Sequence, residues 1–188
     1  MRNILLSLFK GYSDTCPTDT PLENIVEMIR CHAATAERTE KHRYYLRHNE
    51  AQPASREKKG GLCFAVSVRF SNGKRKADIR EWTQLCMVDF DHVPPAQMEE
   101  LLELVRNDPH TLLAYTTISG TGIRILACYV RGENSRERSP YDLHLQAFSL
   151  VNRHYANLTG LSYDEKCKNA TRLSGLAHDP HVYFNPEA

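Results

Sequence analysis

The sequence predicts an α+β domain, a mixed or antiparallel sheet with flanking helices. Three observations carry that expectation. Helical and strand periodicities interleave along the chain. One pair of apolar runs is separated only by Ser119-Gly120-Thr121-Gly122, a hairpin connection that a strictly parallel, doubly wound sheet would lack. The length of 188 residues suits one ordinary domain with a sizeable core, read as residues 1–188.

The opening MRNILLSLFKGY has one early arginine and a short apolar stretch broken by Lys10, with no small-residue cleavage site after it. It reads as an edge strand rather than a signal peptide. Thr20-Pro21-Leu22-Glu23 offers a threonine N-cap, a proline at the first helical position and a glutamate to close a capping box. Leu22, Ile25, Val26 and Ile29 then recur at helical spacing, so an amphipathic helix is expected over 21–34. The 36–60 segment is polar and basic, with Arg43, Lys58 and Lys59 among its cations, and shows no apolar period. Its composition reads as a solvated face.

Leu62 to Phe70 suits a strand, Ser71-Asn72-Gly73-Lys74 has turn chemistry, and Trp82 to Phe90 forms a second apolar strand. A helix follows from Pro95, with Met98, Leu101, Leu102 and Val105 on one face, and ends before Asp108-Pro109. Leu112 to Ile118 and Ile123 to Val130 are the two arms of the hairpin. Ser139-Pro140 opens the last long helix, with a buried stripe expected at Leu143, Ala147, Leu150, Val151 and His154 before Gly160 stops it. From Leu161 onward short extended pieces alternate with turns.

Composition excludes several classes of function. A formal net charge of +1 argues against a protein held to nucleic acid or membrane by bulk charge, so any polyanion site must be local. No run approaches the roughly 18 apolar residues of a membrane helix. Six cysteines lie far apart, never as CxxC, and several sit inside apolar runs, which reads as a reduced cytoplasmic protein.

One apolar run carries an anomaly. In LCMVDFDHVPP, Asp89 and Asp91 alternate with Phe90, so on a strand both carboxylates share a face about 7 Å apart. Two like charges so placed repel and raise each other's pKa unless a cation joins them. A hard divalent ion, Mg²⁺ or Mn²⁺, suits carboxylate oxygens and phosphates. The plainer alternative is a strand that ends here with both aspartates solvated. The second motif is Ser119-Gly120-Thr121-Gly122, a serviceable turn whose glycines could also turn backbone N–H groups toward an anion. Arg124, alone at the start of the apolar run IRILACYV, is a guanidinium placed to meet a phosphate.

The order VDFD, SGTGIR and YDEKCKNATRLSGLAHDP resembles the three motifs of the archaeo-eukaryotic primase superfamily, the PrimPol-like enzymes. Within that superfamily the chain looks like the N-terminal primase-like domain of the virulence-associated E proteins of bacterial mobile elements. The resemblance implies a primase-like fold with an RRM-like catalytic core, serving replication of a mobile element. It implies two-metal phosphoryl transfer from a nucleoside triphosphate, with Asp89, Asp91 and Asp164 binding the two catalytic ions, Mg²⁺ or Mn²⁺, and Asp179 as an alternative third ligand. Ser119, Gly120 and Gly122 would cradle a nucleoside triphosphate, and Arg172 would contact it. Arg43, Lys58 and Lys59 would track a single-stranded nucleic acid template. A helicase-like ATPase domain or partner is expected, with this chain as the N-terminal part of a longer protein.

Arg124 departs from the pattern, because the superfamily places histidine there. Arginine holds phosphate but does not switch protonation near neutral pH. Two other readings therefore stand beside the polymerase. One is a catalytically inactive module that binds nucleotide or nucleic acid or docks a helicase. The other is a rolling-circle-type endonuclease, since Tyr163-Asp164-Glu165-Lys166 fits YxxK; its histidine pair would have to come from His144 or from the HDPH turn at His178 and His181.

Overall fold

Ten strands and five α-helices are present among the described residues, 4–130, 132 and 138–188, of the computed structural model. The strands are β1 (Leu5–Phe9), β2 (Thr18–Pro21), β3 (Cys63–Ala65), β4 (Val68–Phe70), β5 (Ile79–Trp82), β6 (Leu85–Phe90), β7 (Thr111–Thr116), β8 (Ile123–Cys128), β9 (Leu173–Gly175) and β10 (Tyr183–Phe184). The helices are α1 (Leu22–Cys31), α2 (Ala33–Arg47), α3 (Ala51–Gly60), α4 (Met98–Asn107) and α5 (Pro140–Thr159). They build one sheet in the order β2-β1-β3-β9, a second in the order β10-β7-β8-β6, and a β4-β5 ribbon. Every pairing is antiparallel, as the hairpin reading requires.

In the second sheet β8 lies between β6 and β7, while β7 lies between β8 and β10. The run β6-α4-β7-β8-α5-β10 is thus a pair of interlocked split βαβ units. Alternation along the strands sorts the core into layers. Leu6 and Phe64 of the first sheet, Met87, Leu113, Tyr115 and Leu126 of the second, and Ile25 and Ile29 of α1 share one apolar cluster. Val88, Phe90, Ile123 and Ile125 point the other way and pack with Leu102 and Val105 of α4 and Tyr155 of α5. A third cluster joins Phe9 and Ala65 to Val68 and Phe70 of the ribbon. Among the described residues no helix is long and apolar enough to cross a membrane.

Local departures from expectation have physical causes. The N-terminal strand is internal, because β2 folds back and covers its free edge. Thr20 is consumed by that pairing, opposite Leu6, so no capping box forms and α1 begins at Leu22 without a side-chain cap. The 62–70 run divides between two sheets, and the 82–90 run breaks at Gln84, which adopts φ 61°. The 36–60 segment is helical over most of its length, as α2 and α3. The positions α2 buries, Thr35, Thr39 and His42, have helical spacing but are polar, which hides the period from a hydrophobicity reading. On α5 the N-cap Ser139 accepts from the Asp142 amide and Gly160 closes the helix at φ 71°. Leu143 and Ala147 of the expected stripe are buried, but the face turns toward His144, Phe148, Asn152 and Tyr155, and Leu150 and His154 face solvent.

Two buried histidines make stability depend on pH. Burial pushes the imidazoles of His42 and His144 below their ordinary value of 6.5, against the opposing effect of N–H hydrogen bonds to Ala54 O (2.7 Å) and Lys168 O (3.2 Å). Both are neutral in the fold, and the unfolded chain takes up the protons more readily. Their contribution is complete above pH 6.5 and is lost as pH falls below it toward the lower folded-state values. The urea midpoint is expected to drop between about pH 7.5 and about pH 5.5, less steeply in His42→Gln/His144→Gln. An unchanged slope in that variant would contradict the assignment.

Candidate functional site

The site begins with a charge placed where the sheet is otherwise apolar. Asp89 shares its strand face with Leu85 and Met87, and is 2% exposed. Its cross-strand partner in β8 is Arg124, whose Nη2 donates to Asp89 Oδ2 at 2.5 Å while Nη1 donates to Ser174 Oγ at 3.0 Å. Burial works against the guanidinium's charge, but the Asp89 carboxylate together with Tyr115 and Tyr12 outweighs it and holds the pKa above the ordinary arginine value. The pair is incompletely satisfied: Asp89 Oδ1 and Arg124 Nε are buried without a hydrogen-bond partner.

Asp164 comes up against this pair from the loop after α5. Its amide donates to the Asp89 carbonyl at 3.0 Å, and its carboxylate accepts from Arg172 Nη2 at 2.8 Å and from the Lys166 amide at 2.9 Å. Ligand atoms of Asp89, Asp164 and Cys167 lie within 4.8 Å of one another. Burial, with a further push from Asp89, raises the Cys167 thiol to about 12, and a soft sulfur donor is poorly matched to a hard cation. That leaves two carboxylates, one with an unpartnered buried oxygen. This donor set fits a hard cation such as Mg²⁺ or Mn²⁺.

Asp91 is not on the strand. β6 ends at Phe90, and Asp91 is exposed in the following turn, where it lines the same cleft as Asp89. The expectation of two carboxylates on one strand face is thus replaced by one buried carboxylate and one at the rim. Asp179 lies elsewhere. Its carboxylate accepts from the Thr116 amide at 2.8 Å and the His181 amide at 2.9 Å, which makes it a turn-holding residue and leaves Asp164 as the neighbour of Asp89.

The serine-glycine turn packs directly against the strand that bears Asp89. The Val93 amide donates to Thr121 O at 2.8 Å, tying the loop after Asp91 to the turn. A Cβ on Gly122 would lie 2.6 Å from Thr117 Oγ1 and 2.7 Å from Phe90 O, so only glycine permits this approach. Gly122→Ala is expected to destabilise by about 1–3 kcal/mol, measured by urea unfolding; a change below about 0.5 kcal/mol would contradict the packing. Gly120, at φ +77°, uses its N–H inside the turn, donating to Thr117 O at 2.9 Å. Of the two glycine amides predicted to meet an anion, that of Gly120 is therefore engaged, and Ser119 is the turn's contribution to the cleft wall.

Asp89, Asp91, Ser119, Arg124 and Arg172 line one cavity of about 940 Å³, together with Lys58 and Lys59 from the last turn of α3. Arg43 stands behind it. Its Nε and Nη2 donate to the carbonyls of Ile118 (3.2 Å) and Thr117 (3.3 Å), so it braces the turn. The wall has residues that no motif marked: Tyr12, and Lys74, whose ammonium donates to the carbonyls of Tyr12 and Asp14. Burial pushes the Tyr12 hydroxyl up to about 12 although Arg124 acts against it.

Tyr163 packs edge-on against Phe148, and His144 is buried beside Trp82. Neither three-ligand cluster among the described residues includes His144, His178 or His181.

Fold and site together define an antiparallel α+β domain whose cleft sets one buried carboxylate, Asp89, and one at its rim, Asp91, among guanidinium and ammonium groups. Such a cleft can hold a phosphorylated ligand and a hard cation at once. The chain belongs to the BT4734-like, N-terminal domain family, whose model matches residues 57–184. That span includes every cleft residue from Lys58 to Leu176 and leaves Tyr12, Ser13 and Ser55 outside it. No curated protein and no solved structure matches the chain.

Proposed function

We infer that the cleft binds a nucleoside triphosphate with Mg²⁺ or Mn²⁺ and transfers nucleotides along a single-stranded template, the chemistry of a primase-like polymerase serving a mobile element. The observation that carries this reading is the convergence of Asp89, Asp91, Ser119, Arg124 and Arg172 on one cavity, with Asp164 joined to Asp89 through the backbone. The run β6-α4-β7-β8-α5-β10 shares the βαββαβ element order of the RRM-like core that the motif order implies, but its last strand, β10, lies beside β7 and not beside β6.

Asp89 and Asp164 would hold the cation, with Asp91 at the rim. With a divalent cation held there, the site would gain neutralisation of charge on phosphate oxygens and a lowered pKa of the attacking hydroxyl. Arg124 and Arg172 now serve as counter-ions to the two carboxylates. With nucleotide bound they would turn their donors to the triphosphate, aided by Ser119, Lys58 and Lys59. The attacking hydroxyl's proton has no dedicated protein acceptor among these residues. The test is metal-dependent incorporation of labelled nucleotide on a primed or unprimed single-stranded template. No incorporation by folded protein with either metal would contradict the reading.

One observation favours a second reading. A permanently charged arginine occupies one oxygen of the buried carboxylate that a catalytic metal requires. If that pair never opens, the domain binds nucleotide or nucleic acid, or docks a helicase-like ATPase, without catalysis. Calorimetry separates the two: nucleotide affinity that does not depend on Mn²⁺ supports the binding module.

A further inference from the structure

A second cluster of ligating side chains stands on the opposite side of the β10-β7-β8-β6 sheet from Asp89. Asp108 follows α4, His110 precedes β7, and His154 lies near the end of α5, beside the Tyr155 that packs in the α4–α5 core. One carboxylate serves both imidazoles: Asp108 Oδ2 is 2.7 Å from His154 Nε2, and Oδ1 is 3.2 Å from His110 Nδ1. The three ligand atoms lie within 4.8 Å of one another.

We propose that Asp108, His110 and His154 form a binding site for a borderline transition-metal cation, Zn²⁺ foremost. The donor set decides the class. Two imidazole nitrogens and one carboxylate oxygen suit Zn²⁺ and its neighbours, whereas Mg²⁺ takes oxygen donors. Ligand atoms around a tetrahedral zinc ion sit about 3.3 Å apart, so the two contacts to Asp108 need to open by only about 0.1–0.6 Å to admit one. The surroundings favour that small change. The Asp108 side chain is only 8% exposed and its Oδ1 also accepts from the His110 amide at 2.9 Å, which fixes the carboxylate. The two imidazoles are 69% and 44% exposed, so a cation reaches them directly and water completes its coordination. Bound there, the ion joins the α4–β7 turn to the end of α5, and the fold gains stability with metal concentration.

The experiment is calorimetric titration of tag-free protein with Zn²⁺, in a Cys16→Ser/Cys31→Ser background that removes the two exposed thiols. The expected result is one equivalent bound and a raised unfolding temperature. Zinc-edge X-ray absorption is expected to show two imidazole ligands. His110→Ala/His154→Ala, which takes both imidazoles from Asp108, weakens binding at least about tenfold, and its metal-free unfolding curve, measured alongside, separates lost binding from lost folding. Asp164→Asn keeps the full equivalent. Failure of the parent to bind one Zn²⁺, equal binding by the double-histidine variant, or loss of binding in Asp164→Asn would each overturn the proposal.

Discussion

Arg124→Met destabilises the domain by about 3–5 kcal/mol, because it strands the Asp89 carboxylate, 2% exposed, without its counter-charge. Asp89 Oδ1 already lacks a hydrogen-bond partner, and the substitution removes the one from Oδ2 as well. Against the 5–15 kcal/mol that holds an ordinary domain, this is a large share, and it lowers the unfolding temperature by roughly 6–20 °C. Asp89→Asn is expected to do comparable harm from the other side, leaving a buried guanidinium unpaired. Removing both charges, as Asp89→Leu/Arg124→Met, recovers most of the loss, since a buried pair against an apolar pair of similar volume is nearly neutral. Urea unfolding of the two single variants and the double variant gives the coupling directly. Single variants within about 1 kcal/mol of wild type would mean that the pair is not buried as described.

The second large effect is on chemistry. Asp91 is exposed, so Asp91→Asn leaves the fold intact and removes one carboxylate from the rim of the cleft. In the polymerase reading, Asp91→Asn lowers nucleotide incorporation by about 100-fold. Asp164→Asn, which takes charge from the neighbour of Asp89, lowers it by about a thousandfold or more, the several kcal/mol that a misplaced metal costs. Asp179→Asn separates this account from its rival. That residue holds the Thr116 and His181 amides, so its loss is expected in stability and not in the metal dependence of the reaction. Incorporation unchanged in both Asp91→Asn and Asp164→Asn would contradict the assignment of the cleft.

How far the sequence could be read depended on whether buried positions were apolar. Helices α4 and α5 and the β7–β8 hairpin were legible, since Leu101, Leu102 and Val105 keep helical spacing and Ser139, Pro140 and Gly160 mark the ends of α5. The helices of the 36–60 segment were not, because α2 turns Thr35, Thr39 and His42 inward. The capping reading of Thr20 failed through competition, as the same residue suits a strand edge and tertiary pairing took it. At the site, Asp89, Ser119 and Arg124 could be found because charge and glycine are conspicuous inside apolar runs. Tyr12 and Lys74 could not, since they reach the cleft from loops, and the turn chemistry around Lys74 does not say what the turn faces. Asp164 and Asp179 both follow the helix stop at Gly160, and only the fold shows that Asp164 meets the Asp89 carbonyl. Arg124 was legible as a phosphate ligand, but its ion pair with Asp89 depends on a strand register that spacing alone did not specify.

That ion pair makes the decisive observation specific. Crystals grown with Mn²⁺ and a non-hydrolysable nucleoside triphosphate, measured at the manganese absorption edge, locate the metal without assumption. The account predicts an anomalous peak held by Asp89 and Asp164, with Arg124 and Arg172 turned from the carboxylates to the phosphates. A nucleotide bound outside the cleft, or a cleft with nucleotide but no manganese and the Arg124–Asp89 pair intact, would contradict it.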